Sequence, residues 1–179
     1  MKTNKKSFIS VLAMVLALTV SVGCLCGCGK DGGSKKKDGY KAVAEDFAKG
    51  FKDLDAKKII GLMHDDVVEQ AAEEEDMDKD EFIEEFQDSL DEIKEEVEED
   101  YNWKKIKYEI GDDDDLDDDD LEELNEQYED LDLEIKEAKK VEITFTTPAV
   151  DKDEDDKEES FEIIVGKIDK SWYLVDMGM

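Results

Sequence analysis

The sequence predicts an α+β domain in which N-terminal helices pack on a curved antiparallel sheet. Three observations carry this. Apolar residues recur at spacings of three and four from Tyr40 to Val97. They alternate at a spacing of two in most of the chain beyond Tyr101, and short polar segments separate the later runs. Helical periodicity followed by strand periodicity places the helices together on one face of the sheet.

Tyr40, Val43, Ala44, Phe47, Phe51 and Leu54 form one apolar stripe, which predicts the first helix. Asp55 can cap a shorter helix carrying Ile59, Ile60 and Met63. Asp78 and Glu81 have the spacing of a capping box, with Met77 and Phe82 placed as the accompanying apolar staple. The helix they open has a stripe of Phe82, Phe86, Leu90, Ile93 and Val97. Its opposite face holds Glu84, Glu85, Asp88, Glu95 and Glu98, the pattern of a solvated surface.

Tyr101 and Trp103 share one strand parity, while Ile106, Tyr108 and Ile110 share the other. One flat strand cannot bury both sets, so a bulge or bend is expected near Lys104–Lys105. After the acidic run Asp112–Asp120, which Leu116 interrupts, Leu121, Leu124, Tyr128 and Leu131 predict a short helix. Val141, Ile143 and Phe145 then mark one half-buried strand and Phe161, Ile163 and Val165 the next. In the last strand Trp172 and Leu174 alternate with Tyr173 and Val175. A loop from Pro148 to Ser160 and a turn at Asp169-Lys170 link these three into a meander.

Charge excludes whole classes of function. The chain of 179 residues carries 54 acidic side chains against 24 basic ones, a net charge of −30. Every basic residue is lysine, so the planar guanidinium fork favoured for phosphate recognition is missing. Nucleic-acid binding needs a basic footprint, and this composition is its opposite. Electrostatic docking on anionic lipid is excluded on the same ground.

The first 27 residues have a separate logic. Lys2, Lys5 and Lys6 precede an apolar run from Phe8 to Val22, which is shorter than the roughly 20 residues of a spanning helix. Small residues follow, and then Leu25-Cys26-Gly27-Cys28. That tetrapeptide resembles the lipobox of bacterial lipoproteins, which implies cleavage before Cys28 and lipid attachment to its sulfur. Cys24 is the alternative, but it has Ser21 three positions earlier where an aliphatic residue belongs. The three cysteines lie at 24, 26 and 28. Cleavage before Cys28 would leave the exported domain neither a disulfide nor a free thiol. Losing Lys2, Lys5 and Lys6 would take the net charge to −33.

Three segments are therefore expected: a signal peptide over 1–27, a lipidated flexible tether over 28–39 and a single α+β domain over 40–179. The tether reads Gly-Lys-Asp-Gly-Gly-Ser-Lys-Lys-Lys-Asp-Gly after Cys28. Lys35–Lys37 is the only run of consecutive lysines in it. The expected location is the extracytoplasmic face of the cell membrane, held by covalent lipid, since two or more acyl chains anchor stably where one does not.

The opening amphipathic helix, the Leu54-Asp55-Ala56-Lys57-Lys58 break and the terminal run Lys167-Ile168-Asp169-Lys170-Ser171-Trp172-Tyr173-Leu174-Val175-Asp176 resemble the nuclear-transport-factor-2-like fold. More narrowly, they are similar to surface lipoproteins of low-GC Gram-positive bacteria that carry this domain. The resemblance implies a cone whose sheet wraps around its helices and leaves an apolar pocket at the open end. The family includes enzymes and binding domains, and none of its catalytic motifs can be placed on these residues.

Chemistry has few candidates. His64 is the only histidine and falls near the end of the second expected helix, where it reads as a C-terminal helix cation or an exposed loop residue. Asp65 and Asp66 are beside it, but no serine or cysteine nucleophile accompanies them. The run Asp112–Asp120 offers oxygen ligands suited to calcium. A calcium loop beginning at Asp115 would put Asp120 at its sixth position, where the turn requires glycine, so that motif is rejected. Asp117–Asp119 instead suit the N-terminal end of the following helix.

The resulting expectation is a membrane-anchored extracytoplasmic lipoprotein whose domain is non-catalytic and binds a small apolar ligand or a cationic protein partner. No cofactor or specific metal is expected. The alternative is an acidic, cation-associated surface protein, calcium-buffering or adhesive with weak calcium binding; a pocket enzyme ranks behind both.

Overall fold

The computed structural model describes residues 39–151 and 155–177. Its order is α1 (Tyr40–Asp53), α2 (Ala56–Ile60), α3 (Asp65–Glu74), α4 (Lys79–Glu98), β1 (Lys107–Asp115), α5 (Asp118–Gln127), β2 (Ile135–Thr147), β3 (Lys157–Ile168) and β4 (Ser171–Asp176). α1 to α4 thus precede a four-stranded antiparallel sheet in the order β1-β2-β3-β4, with α5 between β1 and β2 in the chain. The single-residue bulges in β1, β2 and β4 bend and twist it into a curved surface.

The helices begin and end for identifiable reasons. α1 closes with Leu54 in the left-handed conformation, and Asp55 accepts from the amide of Lys58 to start α2. The capping box at α4 is complete: Asp78 accepts from Asp80 and Glu81, and the Glu81 side chain reaches back to the Asp78 amide. Gly50 lets α1 and α2 approach closely, because a Cβ there would lie 2.8 Å from Ile59.

One core fills the space between α1, α2, α4 and the sheet. Val141, Ile143, Phe145, Phe161, Ile163, Val165 and Leu174 meet Phe47, Phe51, Leu90 and Ile93 there. Phe51 lies 4.9 Å from Phe145 and 5.7 Å from Trp103 between ring centroids. Trp103 is buried, and its indole N–H donates to the carbonyl of Lys52.

Several expectations are corrected. α2 ends at Ile60, leaving Met63 in a bend, and α3 is an additional helix opened by His64. The bend expected near Lys104–Lys105 is present as a 3-10 turn, Trp103–Lys105, which seats Trp103 against the end of α1. β1 continues through Asp112–Asp115, and α5 starts at Asp118 with Asp117 as its cap. β2 begins six residues before Val141, and β3 takes in Glu158 and Glu159, which were expected in the loop.

The helices also do not all lie on one face. Neighbouring residues of a strand point to opposite sides, and Ile164 and Val175 belong to a second cluster while Val165 and Leu174 belong to the first. That second cluster joins Leu124 and Tyr128 of α5 to Ile135, Ala138, Ile168 and Val175. Ile168 and Val175 face a helix that follows β1 in the chain, so order alone did not reveal which side it would cover.

Candidate functional site

Cys28 and Cys24 lie outside the described residues, as does the expected tether up to Asp38. The described chain begins at Gly39, whose φ of 94° leads directly into α1.

Tyr40 is the first residue of α1 and ties it to the acidic end of β1. Its hydroxyl donates to Asp113 at 2.8 Å, and Lys41 lies 3.0 Å from the other oxygen of the same carboxylate. The Lys41 contact and the Tyr40 hydrogen bond hold the Asp113 carboxyl below its ordinary range. In turn, the Asp113 hydrogen bond raises Lys41. Lys139 of β2 lies 2.6 Å from Asp115, whose hydrogen bond raises it, and 5.5 Å above the Tyr40 ring.

The same surface continues across the sheet. Trp172 meets Tyr40 edge-on with centroids 5.5 Å apart. Lys167 stands over Trp172 and lies 2.7 Å from Glu137. The corner is thus a charge-matched set of lysines, carboxylates and two half-buried rings. The acidic run is consequently not uniform. Asp113 and Asp115 are paired on one face of β1, Asp112 and Asp114 are exposed, and Asp117 caps α5 by accepting from Asp120.

His64 has a different place from either expected one. It is the N-cap of α3, its Nδ1 accepts from the amide of Asp66 at 3.3 Å, and its ring packs edge-on against Tyr173. The ring is occupied in starting a helix. Among the described residues, no three His, Cys, Asp or Glu side chains are grouped to hold a metal ion.

An open cleft of about 540 Å³ runs beside α5, lined by Glu122, Asn125, Glu126, Glu129, Asp132, Leu133 and Glu134. Its lining is mostly acidic, unlike the apolar pocket that the resemblance implies.

Two polar side chains that sequence reasoning passed over hold the chain's turns. Gln87 donates to the carbonyl of Leu54 and accepts from the amide of Ala56, closing the α1–α2 break. Asn125 donates to the carbonyls of Leu121 and Ile135 and accepts from the amide of Ile135, clamping the start of β2. The available signal was position: Gln87 falls between Ile83 and Leu90 on a buried stripe, and Asn125 between Leu121 and Tyr128.

Comparison with protein-family models, with curated proteins and with solved structures finds no match for this chain.

Proposed function

We propose that this chain is a lipid-anchored extracytoplasmic lipoprotein whose α+β domain serves as a non-catalytic binding module. The observation that carries the reading is Leu25-Cys26-Gly27-Cys28 after a basic and then an apolar segment. The eleven residues from Gly29 to Gly39 would separate the acyl cysteine from the first turn of α1. A Gly-rich segment of that length spans about 17–20 Å on average and under about 40 Å when fully extended. The domain would stand close to the membrane, with the Tyr40–Asp113 corner nearest to it.

The binding-module reading is supported by how the candidate catalytic residue is used. His64 caps a helix through its Nδ1 and packs on Tyr173, a structural role. Helices followed by a curved meander agree with a nuclear-transport-factor-2-like cone, to which we assign the domain as a proposal.

Replacing Cys28 by alanine in the producing cell tests the anchor. Wild-type protein should partition with membranes and incorporate palmitate, while Cys28→Ala should be released or remain as the longer precursor. Normal anchoring of Cys28→Ala together with loss in Cys24→Ala would move the site to Cys24. Calorimetric titration with calcium addresses the acidic-protein alternative, since tight saturable binding would favour it over the binding module.

A further inference from the structure

The sheet has two edges, and they are finished differently. On β4 the amide of Leu174 donates to the carbonyl of Leu62, so part of that edge is covered by the segment after α2. On β1, among the described residues, no strand pairs with the outer side. An open edge presents main-chain donors and acceptors to any extended chain that can approach.

The inner side of β1 shows what a strand must carry to lie against it. β2 places Lys140 opposite Asp114 and Lys139 opposite Asp115, with Lys139 forming a 2.6 Å ion pair. Opposite charges in directly facing positions stabilise a strand pair and like charges oppose it. β2 therefore meets the acidic half of β1 with cations at those two positions. The exposed carboxylates of Asp112 and Asp114, with Glu109 further back, impose the same requirement on anything added outside. A second copy of β1 aligned so that the two acidic stretches meet would be repelled.

We infer that the outer edge of β1, Lys107–Asp115, is a docking site for an extended, lysine- or arginine-bearing segment of another protein, added as a fifth strand. The bulge between Ile110 and Asp113 divides the edge into two short stretches. Main-chain hydrogen bonds along Lys107–Ile110 would supply affinity, and charge pairing at Asp112 and Asp114 would supply selection. The inference rests on the binding-module reading and names the class of partner for it.

The test is amide hydrogen exchange on the full-length chain in a mild detergent at about 0.15 M salt, where exposed charges are screened beyond about 8 Å. Three synthetic octapeptides are compared: alternating Lys-Val, alternating Lys-Pro with the same charge, and alternating Glu-Val. Proline cannot donate to a ladder, so Lys-Pro isolates diffuse attraction. Enough Lys-Val to leave about one tenth of the edge free should slow exchange in Lys107–Asp115 by about tenfold. Lys-Pro and Glu-Val should leave it unchanged. Equal protection by the two cationic peptides, protection confined to other elements, or none at all would overturn the inference. A D112K/D114K double variant should invert the preference toward Glu-Val, and retention of the Lys-Val preference would also overturn it. Membrane retention of Cys28→Ala is independent of these peptides, so the anchor and the edge fail separately.

Discussion

On the face that receives α1, the sheet buries Val141, Ile143, Phe145, Phe161, Ile163 and Val165 against Phe47 and Phe51. On the face that receives α5, a smaller group of Leu124, Tyr128, Ile135, Ala138, Ile168 and Val175 is tied together by side-chain hydrogen bonds. Asn125 holds both main-chain groups of Ile135, and the hydroxyl of Tyr128 donates to the buried carbonyl of Val175 at 2.8 Å. The first face is held mainly by apolar area and the second by a few directed bonds across less of it. Loss of one ring should therefore be felt most on the first face, and loss of one polar atom most on the second.

The largest expected effect breaks the first face. Phe51→Ala removes a ring in contact with Phe47, Trp103, Phe145 and Phe161, and should cost about 3–5 kcal/mol in a denaturant titration. A loss below about 1 kcal/mol, the cost of volume-conserving swaps rather than of deletions, would mean that this cluster is not the stabilising centre.

Asn125→Ala comes next. It leaves the amide of Ile135 without its partner and should cost about 1–3 kcal/mol, with faster amide exchange at the start of β2. Gly166→Ala probes the same face by overfilling it. The new Cβ would lie 2.9 Å from both Ile135 and Val175, and overpacking of this kind costs about 1–3 kcal/mol. If neither substitution matters, α5 is a passive cover rather than part of the fold.

The first face was largely legible in the sequence and the second was not. Val141, Ile143, Phe145, Phe161, Ile163 and Val165 alternate cleanly, since one side of their strands meets helices and the other is more polar. The capping box at Asp78 and Glu81 was legible because two residue types at a fixed spacing perform one local task. The second face escaped because bulges at Lys136 and Val175 break the alternation there. α3 escaped because its buried stripe is only Val68 and Ala72, and its cap is a histidine. The strand through Asp112–Asp115 ran against propensity, for aspartate is depleted in strands. Pairing with Lys139 and Lys140 and contact with Tyr40 and Lys41 come from distant parts of the chain, which no local pattern reveals. Of the candidate site, the Leu25-Cys26-Gly27-Cys28 signal is a sequence reading that lies outside the described residues, while the Tyr40–Asp113 corner required the fold.

A smaller effect sharpens the contrast through pH. Tyr128 is buried, which pushes its hydroxyl well above the ordinary value of 10.0. A raised folded value means that its contribution is fully present below pH 10 and is lost as pH climbs toward the folded value. Tyr128→Phe should cost about 1 kcal/mol at neutral pH. The gap to wild type should narrow as pH rises above 10. A gap constant with pH would show that the hydroxyl is not buried as described.

The smallest effect belongs to the corner at the start of α1. Asp113 is held below its ordinary value of 3.8, so its contribution is present above that value and disappears as pH falls through the lowered one. Asp113→Asn should lower the melting temperature slightly at pH 7 and make the decline below pH 4 shallower. Parallel acid curves for variant and wild type would remove this corner from the account.

The central claim is that the folded domain is carried on a lipid-modified Cys28, and peptide mass spectrometry of the protein extracted from membranes tests it most directly. A lipid-anchored domain should yield an N-terminal peptide that begins at Cys28 and bears diacylglyceryl and fatty-acyl groups. An N-terminal peptide beginning at Met1, or one starting at any other residue without lipid, would contradict it.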